Sequence, residues 1–535
     1  MNYLKTGLLL LYVTACLPVS ETGEDDTRIS AGELWEAYIQ DPDDHTHIPN
    51  VSYAGYRRSE VALPSEGVSF DVRDYGARGN GTSDDTDAFK EAIAAAGVNG
   101  GVINIPPGTY RLTDILHLNR DGIVLRGAGQ EASTLLFDAS LTDAIGHRRS
   151  GSGHATVWSW MGGMIWISPD DAFDGDGQPA GGESWRHTTT LAHLTQPASR
   201  GEAVVTVDDA SALNDGDFIL LTWDNPADLS LLLEMAGHPL MSRYDWSGSG
   251  SGLTNMAGWQ WPVEIERVEG NQVTLAQPLR IDAKDSWNVR LQSPGPYVRG
   301  VGVEKLTIAF NTPQPVDQHL EDTGNNGIYL NRVIDCFVSD VTIHEAENGL
   351  IHAAAKQTTV HNLHISGSRM HHATALRVGS HDNLISDFVI ETEVRHGINT
   401  EKLSTGNVWR RGVMHHGTFD SHRAMSWDLV RTDITVHNDG LPGGGSQAGP
   451  FLGRRVVHWN IRITNGKPDW IYQPEVISLG ALVGVQGAAV SDRTSHAMPD
   501  GDKGHIIADP DQTPVPADLF EAQFRHRTGY AWPLD

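Results

Sequence analysis

Cysteine is almost missing from this chain. Cys16 and Cys336 are the two in 535 residues. No disulfide framework can be built from them, so packing must hold the fold. Positive charge is also scarce. There are 39 Lys and Arg against 68 Asp and Glu, a formal net charge of -29. Such a surface repels phosphate backbones, which excludes nucleic acid as a partner. The apolar run "GLLLLYV", Gly7 to Val13, is far too short to cross a bilayer as a mature helix. What remains is 39% hydrophobic and holds 57 glycines, the profile of a turn-rich globular chain.

The shortage of positive charge is uneven. Residues 326–463 hold thirteen Lys/Arg, thirteen Asp/Glu and thirteen of the 25 histidines. The other residues carry 26 bases against 55 acids. Within the neutral segment, "RHGINTEKLSTGNVWRRGVMHHGTFDSHR", Arg395 to Arg423, has four His, four Arg and Lys402 but two carboxylates, Glu401 and Asp420. In an acidic protein, such a local balance marks a place where an anion can approach.

Lys5 followed by Gly7 to Val13 reads as an export signal, residues 1–15. "VTAC", Val13 to Cys16, resembles the bacterial lipobox. That resemblance implies lipidation of Cys16, and Leu17 after it implies outer-membrane sorting. The expectation is an exported outer-membrane lipoprotein held to its membrane by a lipid anchor. Residues 16–67 are acidic: "ETGEDDTRISAGELWEAYIQDPDD" has nine carboxylates and one Arg. This segment reads as a tether or capping arm with a short helix near Glu33 to Ile39.

From Val68 to Leu112 a strand, a Gly-rich turn, a helix opened by Asp84-Asp85-Thr86, a strand, a Pro-Pro-Gly turn and another strand follow one another. Asp74-Tyr75-Gly76-Ala77, Gly79, Asp84-Asp85-Thr86 and Ile105-Pro106-Pro107-Gly108-Thr109-Tyr110 resemble the opening of the pectate-lyase superfamily. Asn80 stands where that pattern often has Asp. The resemblance implies an all-β fold, a single-stranded right-handed parallel β-helix. It says little about chemistry, since lyases, hydrolases, epimerases and tailspikes share this opening. Asp84 and Asp85 read as caps.

A repeat supports the same fold independently. "GIYL" at Gly327, "GLIH" at Gly349, "ALRV" at Ala375 and "GINT" at Gly397 start strands at intervals of 22, 26 and 22 residues. Ile328, Leu350, Leu376 and Ile398 are expected to stack inward. Tyr329, Ile351, Arg377 and Asn399 should then point outward, with Asn331, Ala353, Gly379 and Glu401. A further step of 22 puts Asp420 in the inward phase, a poor place for a carboxylate, so the register should shift and expose His422 or Arg423. The expected organisation is a β-helix opening over 68–140, an inserted small β-domain over 141–296, the repeat over 297–490 and a tail over 491–535. The insertion carries Trp246, Trp259 and Trp261, aromatic faces suited to sugar rings. Cys336, in an apolar run, reads as buried filler.

Equal positions on successive coils lie about 4.8 Å apart, so the repeat turns distant residues into ladders. The expected result is a shallow open groove lined by imidazoles and guanidiniums. A uronate polysaccharide needs Arg to pair its carboxylates, and a base to take the proton α to them. Neutral His serves as that base near neutrality. The candidates are His372, His396, His415, His416 and His422 for proton transfer, and Arg377, Arg395 and Arg423 for the carboxylate. Asn399, Glu401, Trp246, Trp259 and Trp261 are candidate substrate contacts.

The reading is a polysaccharide lyase acting on an acidic polysaccharide by β-elimination. Its rivals are a glycoside hydrolase using Glu401 and Asp420, with Asp428, Asp433 and Asp439 behind them, and a non-catalytic glycan-binding surface protein. The polygalacturonase signature and the DPHE type of epimerase site are not found. No metal site is assigned and no cofactor is expected. His415-His416 with Asp420 and His422 could hold a divalent ion, but adjacent histidines rarely both reach one. Calcium would need clustered carboxylates.

Overall fold

The structure, a computed structural model, describes residues 29–149, 155–180, 182–244, 246, 251–311, 320–444, 448–469, 471, 478–489 and 505–534. The export segment and Cys16 lie outside the described residues. No helix among the described residues is long and apolar enough to cross a membrane.

The chain winds into a right-handed parallel β-helix with a 15-stranded and an 8-stranded sheet running along it. In the longer sheet, Gly302–Phe310, Phe337–His344, Thr359–Ser366, Leu384–Ile390, Val408–Met414, Leu429–Val436 and Val456–Ile463 stack in sequence order. Each of the last six contains one left-handed residue: Asp340, Asn362, Asp387, Arg411, Asp433 and Asn460, with φ between 48° and 57°. Five of the six are Asp or Asn, residues that tolerate this region best. Asn362 donates to Asp340 at 2.7 Å, Arg411 to Asp387 at 2.7 Å and Asn460 to Asp433 at 3.0 Å. Each strand therefore bends at the same height, and the bends are bonded to one another.

The shorter sheet includes Ile165–Ile167, Asn326–Ile334, Asn348–Lys356, Arg369–Arg377, Glu393–Thr400 and Phe419–Ser421. Ile328, Leu350, Thr374, Ile398 and Phe419 form one file across it. The intervals are thus 22, 24, 24 and 21 residues, not 22, 26 and 22. Leu376 belongs to the next file, between His352 and Thr400. Asp420 pairs with Asn399 and so takes the outward phase. The short coil of 21 residues shifts the register and spares a carboxylate the apolar interior.

The opening helix, Thr86–Ala96, buries Phe89, Ala92, Ile93 and Ala96 against the first coils. Asp84 accepts from the Thr86 N–H at 3.1 Å, while Asp85 accepts from Arg78 and Gly79 and ties down the Gly-rich turn. Gly108 lets that turn pass close by, since a Cβ there would sit 2.7 Å from the Gly79 carbonyl oxygen. Cys336 is buried.

Ile165–Ile167 completes the shorter sheet, pairing with Leu116–Leu118 and Asn326–Ile334. The inserted domain is a six-stranded antiparallel sheet spanning His187–Pro294. Its apolar face forms a second core with Met425 and Trp427 of the β-helix. Buried Asp382 fastens the two together by pairing with Lys356 and with Arg280 of the insertion, and it accepts from Trp261 Nε1 at 3.3 Å. Burial drives the Lys356 ammonium down to about 8 despite that carboxylate.

From residue 29 the acidic arm is bound to the fold. Ser30 and Glu33 form a capping box for the helix Ala31–Gln40. Ala31, Leu34 and Tyr38 pack with Leu384, Val408, Val430 and Val457 of the longer sheet and with Phe520 and Phe524 of the helix Leu519–Thr528. Gln523 bonds Pro49 and Val51 at 3.0 Å each, joining the arm to the C-terminal helix.

Candidate functional site: a buried imidazole cluster

The imidazoles expected along an open groove divide into a buried cluster and a set of surface groups. His371, His372, His396 and His422 form the cluster. Ring centroids are 4.3 Å apart for His371 and His372, 4.9 Å for His372 and His396, and 4.7 Å for His396 and His422. His371 and His372 are adjacent in the chain yet both enter it. The pairing of Arg369–Arg377 with Glu393–Thr400 is irregular between Met370 and Thr374. Such an irregularity breaks the strand's alternation and re-aims side chains. Two adjacent histidines thus enter one cluster.

Each ring is held from its Nδ1 side. His371 Nδ1 lies 3.2 Å from Asp322 Oδ2, His372 Nδ1 3.0 Å from Asn348 Oδ1, His396 Nδ1 2.6 Å from the Leu441 carbonyl oxygen and His422 Nδ1 2.7 Å from Asp420 Oδ2. The amide of Asn348 donates through Nδ2 to Asn326 and Trp158, which leaves Oδ1 as the acceptor. Carbonyl and carboxylate oxygens only accept, so all four Nδ1 atoms carry a proton, and in each neutral ring the lone pair lies on Nε2.

The rings differ in how readily they take a proton. Burial, with neighbouring rings, pushes His372 well below the ordinary imidazole range and His396 down to about 2. Burial acts on His422 as well, but the hydrogen bond and charge of Asp420 outweigh it and raise this imidazole. His422 is also the open one, with its side chain 24% exposed against 3% for His396.

The open groove itself is absent among the described residues. The loop after Asp439 folds over the cluster: Leu441 binds His396, the Gly443 N–H donates to Asp420 and the Gly449 carbonyl accepts from Arg423. Farther along, Glu183 and Trp160 bond over Tyr329, Asn331 and Arg377. The outward file contains Tyr329, Ile351 and Ala375, and leaving so apolar a face wet would be costly.

Arg377 lies under this cover, paired with Glu401 and with Glu183 at 2.7 Å. Arg423 is buried and stacks 3.9 Å from the Phe451 ring centre. Neither guanidinium reaches an incoming carboxylate. Arg395 is exposed on the strand that carries His396, where a carboxylate can meet it. His415 and His416 sit past the end of Val408–Met414 in the longer sheet, and His416 pairs with Asp439 at 2.8 Å. They do not join the ring cluster. Buried Asn399 accepts from the His422 backbone N–H at 3.1 Å, and buried Glu401 serves Arg377. Trp261 is fully buried in the second core and offers no ring face. Trp246 is half-buried, its indole donating to the Met241 carbonyl at 3.1 Å.

Trp259 walls a cleft of about 430 Å³ between the insertion and the β-helix, shared with Trp185, Leu253, Met256, Gly379 and Lys402. Lys402 is exposed and follows Glu401 directly. Sequence reasoning passed over His371, Asp322, Asn348, Trp185 and Lys402. For Asn348 a signal existed: it lies one coil below His372 in the register. For Trp185 and Asp322, far away in the chain, none did.

Residues 69–165 match the family described as rhamnogalacturonase A/epimerase, pectate lyase-like. Mannuronan C5-epimerase AlgE6 of Azotobacter vinelandii is 37% identical over 97 residues, 17% of this chain and 11% of the relative. Alginate lyase 7 of the same organism is 33% identical over 100 residues, again 17% and 11%. This chain thus spans about a tenth of the length of these relatives. Among solved structures, the tailspike protein gp49 from Pseudomonas phage LKA1 aligns over 78% of this chain and 64% of its own, at 14% identity and a TM-score of 0.49. Residues 69–165, the stretch that matches this pectate-lyase-like family, open the right-handed parallel β-helix.

Proposed function

We propose that this protein is a carbohydrate-active enzyme that cleaves an acidic polysaccharide by β-elimination, with His422 as the base. The observation that carries the reading is the Asp420–His422 pair at the open edge of the cluster, beside His372 and His396, which burial holds neutral. Asp420 fixes the tautomer, and His422 Nε2 takes the proton α to the uronate carboxylate. The electron pair of that C–H bond forms a C=C bond to the carbon bearing the glycosidic oxygen. The C–O bond breaks, and water protonates the leaving oxygen. Exposed Arg395 and Lys402 flank the cluster in the chain and suit the substrate's carboxylates. The cleft walled by Trp185, Trp259 and Lys402 suits a sugar ring. The names of the matched relatives, mannuronan C5-epimerases and an alginate lyase, point to the same substrate class.

Hydrolysis is less well supported. Glu401 is committed to Arg377, and Asp420 to His422 and the Gly443 N–H, so neither carboxylate is placed to activate water.

The test is incubation of the full chain with alginate, pectin, glucuronan, ulvan and sulfated glycans. New ultraviolet absorbance from unsaturated ends, growing with new reducing ends, is the expected result. Reducing ends without absorbance would make the protein a hydrolase. Changed uronate configuration without scission would make it an epimerase, and binding with neither would make it a glycan-binding protein. The export reading is a proposal too, resting on Gly7 to Val13 and on Cys16 after "VTA". Cys16→Ser should move the protein from the membrane fraction to the soluble one, and an unchanged distribution would refute the anchor.

A further inference from the structure

We infer that His371, His372 and His396 form a binding site for a divalent transition metal of the zinc class, held through their Nε2 atoms. One ring nitrogen from each lies within 4.8 Å of the other two. A tetrahedral zinc site brings its nitrogens to about 3.3 Å from one another, so small ring rotations close the set. All three rings are buried, which limits competition from bulk water.

The surroundings select the correct tautomer three times over. Asp322, Asn348 and the Leu441 carbonyl each take an Nδ1 proton, and the lone pair is left on Nε2. A carboxylate or carbonyl behind each ligating imidazole is the usual support of a metal-bound histidine, fixing the ring and raising its basicity. His372 is 3% exposed, and its Nε2 has no hydrogen-bond partner among the described residues. A buried lone pair without a partner costs free energy, and a metal ion would remove that cost. Imidazole-rich sites suit zinc, copper, nickel and iron, whereas calcium and magnesium demand oxygen ligands.

The Asp420–His422 pair lies beside this set. The His422 ring is 5.1 Å from that of His372, and one ring nitrogen of each lies within 4.8 Å of an Asp420 oxygen. Three histidines with a fourth position turned to a partly open side is the arrangement of a site that admits water or a substrate oxygen. The buried carboxylate of Asp420 supplies negative charge against the cation. This inference does not rest on the polysaccharide reading.

The experiment is metal analysis of the full chain after incubation with zinc and gel filtration, with cobalt replacing zinc for spectroscopy. We expect about one equivalent per chain, a raised melting temperature and a visible cobalt spectrum of low-symmetry nitrogen coordination. His396→Gln and His372→Asn should abolish stoichiometric binding, while His416→Ala at the surface pair should leave it unchanged. X-ray absorption of the zinc-loaded wild type keeps the test independent of whether those variants fold, because imidazole scattering is read directly. Absence of zinc in the wild type, an oxygen-only shell, or full occupancy in folded His396→Gln would each overturn the site.

Discussion

Asp420 holds His422 from two residues away, its carboxylate fully buried and the ring reaching the surface, with Oδ2 and Nδ1 2.7 Å apart. One pair thus joins the closed interior of the cluster to its open side. His422→Gln should lower turnover of an acidic polysaccharide about 100-fold or more without changing the melting temperature greatly. His416→Ala should retain wild-type turnover. Unsaturated product followed by ultraviolet absorbance measures both, and normal activity in His422→Gln would remove this ring from the reaction.

The same pair sets a pH dependence. His422 is raised, so the neutral base accumulates only as pH climbs through that raised value. Asp420→Asn should move the acid limb of the rate profile to lower pH and reduce the plateau about tenfold. The stabilising effect of the pair runs oppositely: it is complete below the unfolded imidazole value and fades as pH rises through the folded one. A limb that stays in place in Asp420→Asn would show that another group titrates.

Acid should unfold this protein early. Burial drives His352 and His381 down to about 3 and His396 to about 2. Their folded values lie below the unfolded one, so the unfolded chain binds more protons as pH drops under about 6.5, and stability falls. His352 lies between Leu330 and Leu376 in its file. His352→Leu should therefore raise the melting temperature at pH 5 more than at pH 8. Thermal unfolding across that range decides it, and equal shifts at both ends would contradict the linkage.

Arg377 is structural in this arrangement. Removing it leaves Glu183 and Glu401 facing each other without their cation. Arg377→Met should cost about 3–5 kcal/mol in chemical denaturation. Adding Glu401→Leu should recover part of the loss. A near-neutral Arg377→Met with lost activity would return this residue to substrate binding.

Asp382 should govern the inserted domain. It joins Lys356 of the β-helix to Arg280 and Trp261 of the insertion. Asp382→Ala leaves two buried cations unpaired, with an expected loss of about 3–5 kcal/mol. Limited proteolysis should then cut at the junctions near residues 186 and 296 before the β-helix unfolds. Uniform protection would mean that the apolar contact around Trp427 suffices.

The β-helix was legible because its determinants are local. The Asp84-Asp85-Thr86 opening, the Pro-Pro-Gly turn and the period of the strands are properties of neighbouring residues, and the 22-residue step from Ile328 to Leu350 holds. A short arm helix was expected near Glu33 to Ile39; it runs from Ala31 to Gln40, opened by a capping box of Ser30 and Glu33. Coil length was not legible. A strand pair that absorbs two extra residues looks the same in sequence as one that does not, so Leu376 took the wrong file; the shift at Asp420 was readable because a carboxylate fits poorly inside.

The sequence alone determined that distant histidines would meet, because parallel coils must stack residues of equal phase. Only the tertiary structure decided which ones met, and whether water reaches them. An irregular pairing turned both His371 and His372 to one side, and the loop after Asp439 closed over His396. Burial, tautomer and charge depend on what packs above a strand, and that covering arrives from Trp160, Glu183, Leu441, Gly443 and Gly449, whose contacts no local pattern encodes.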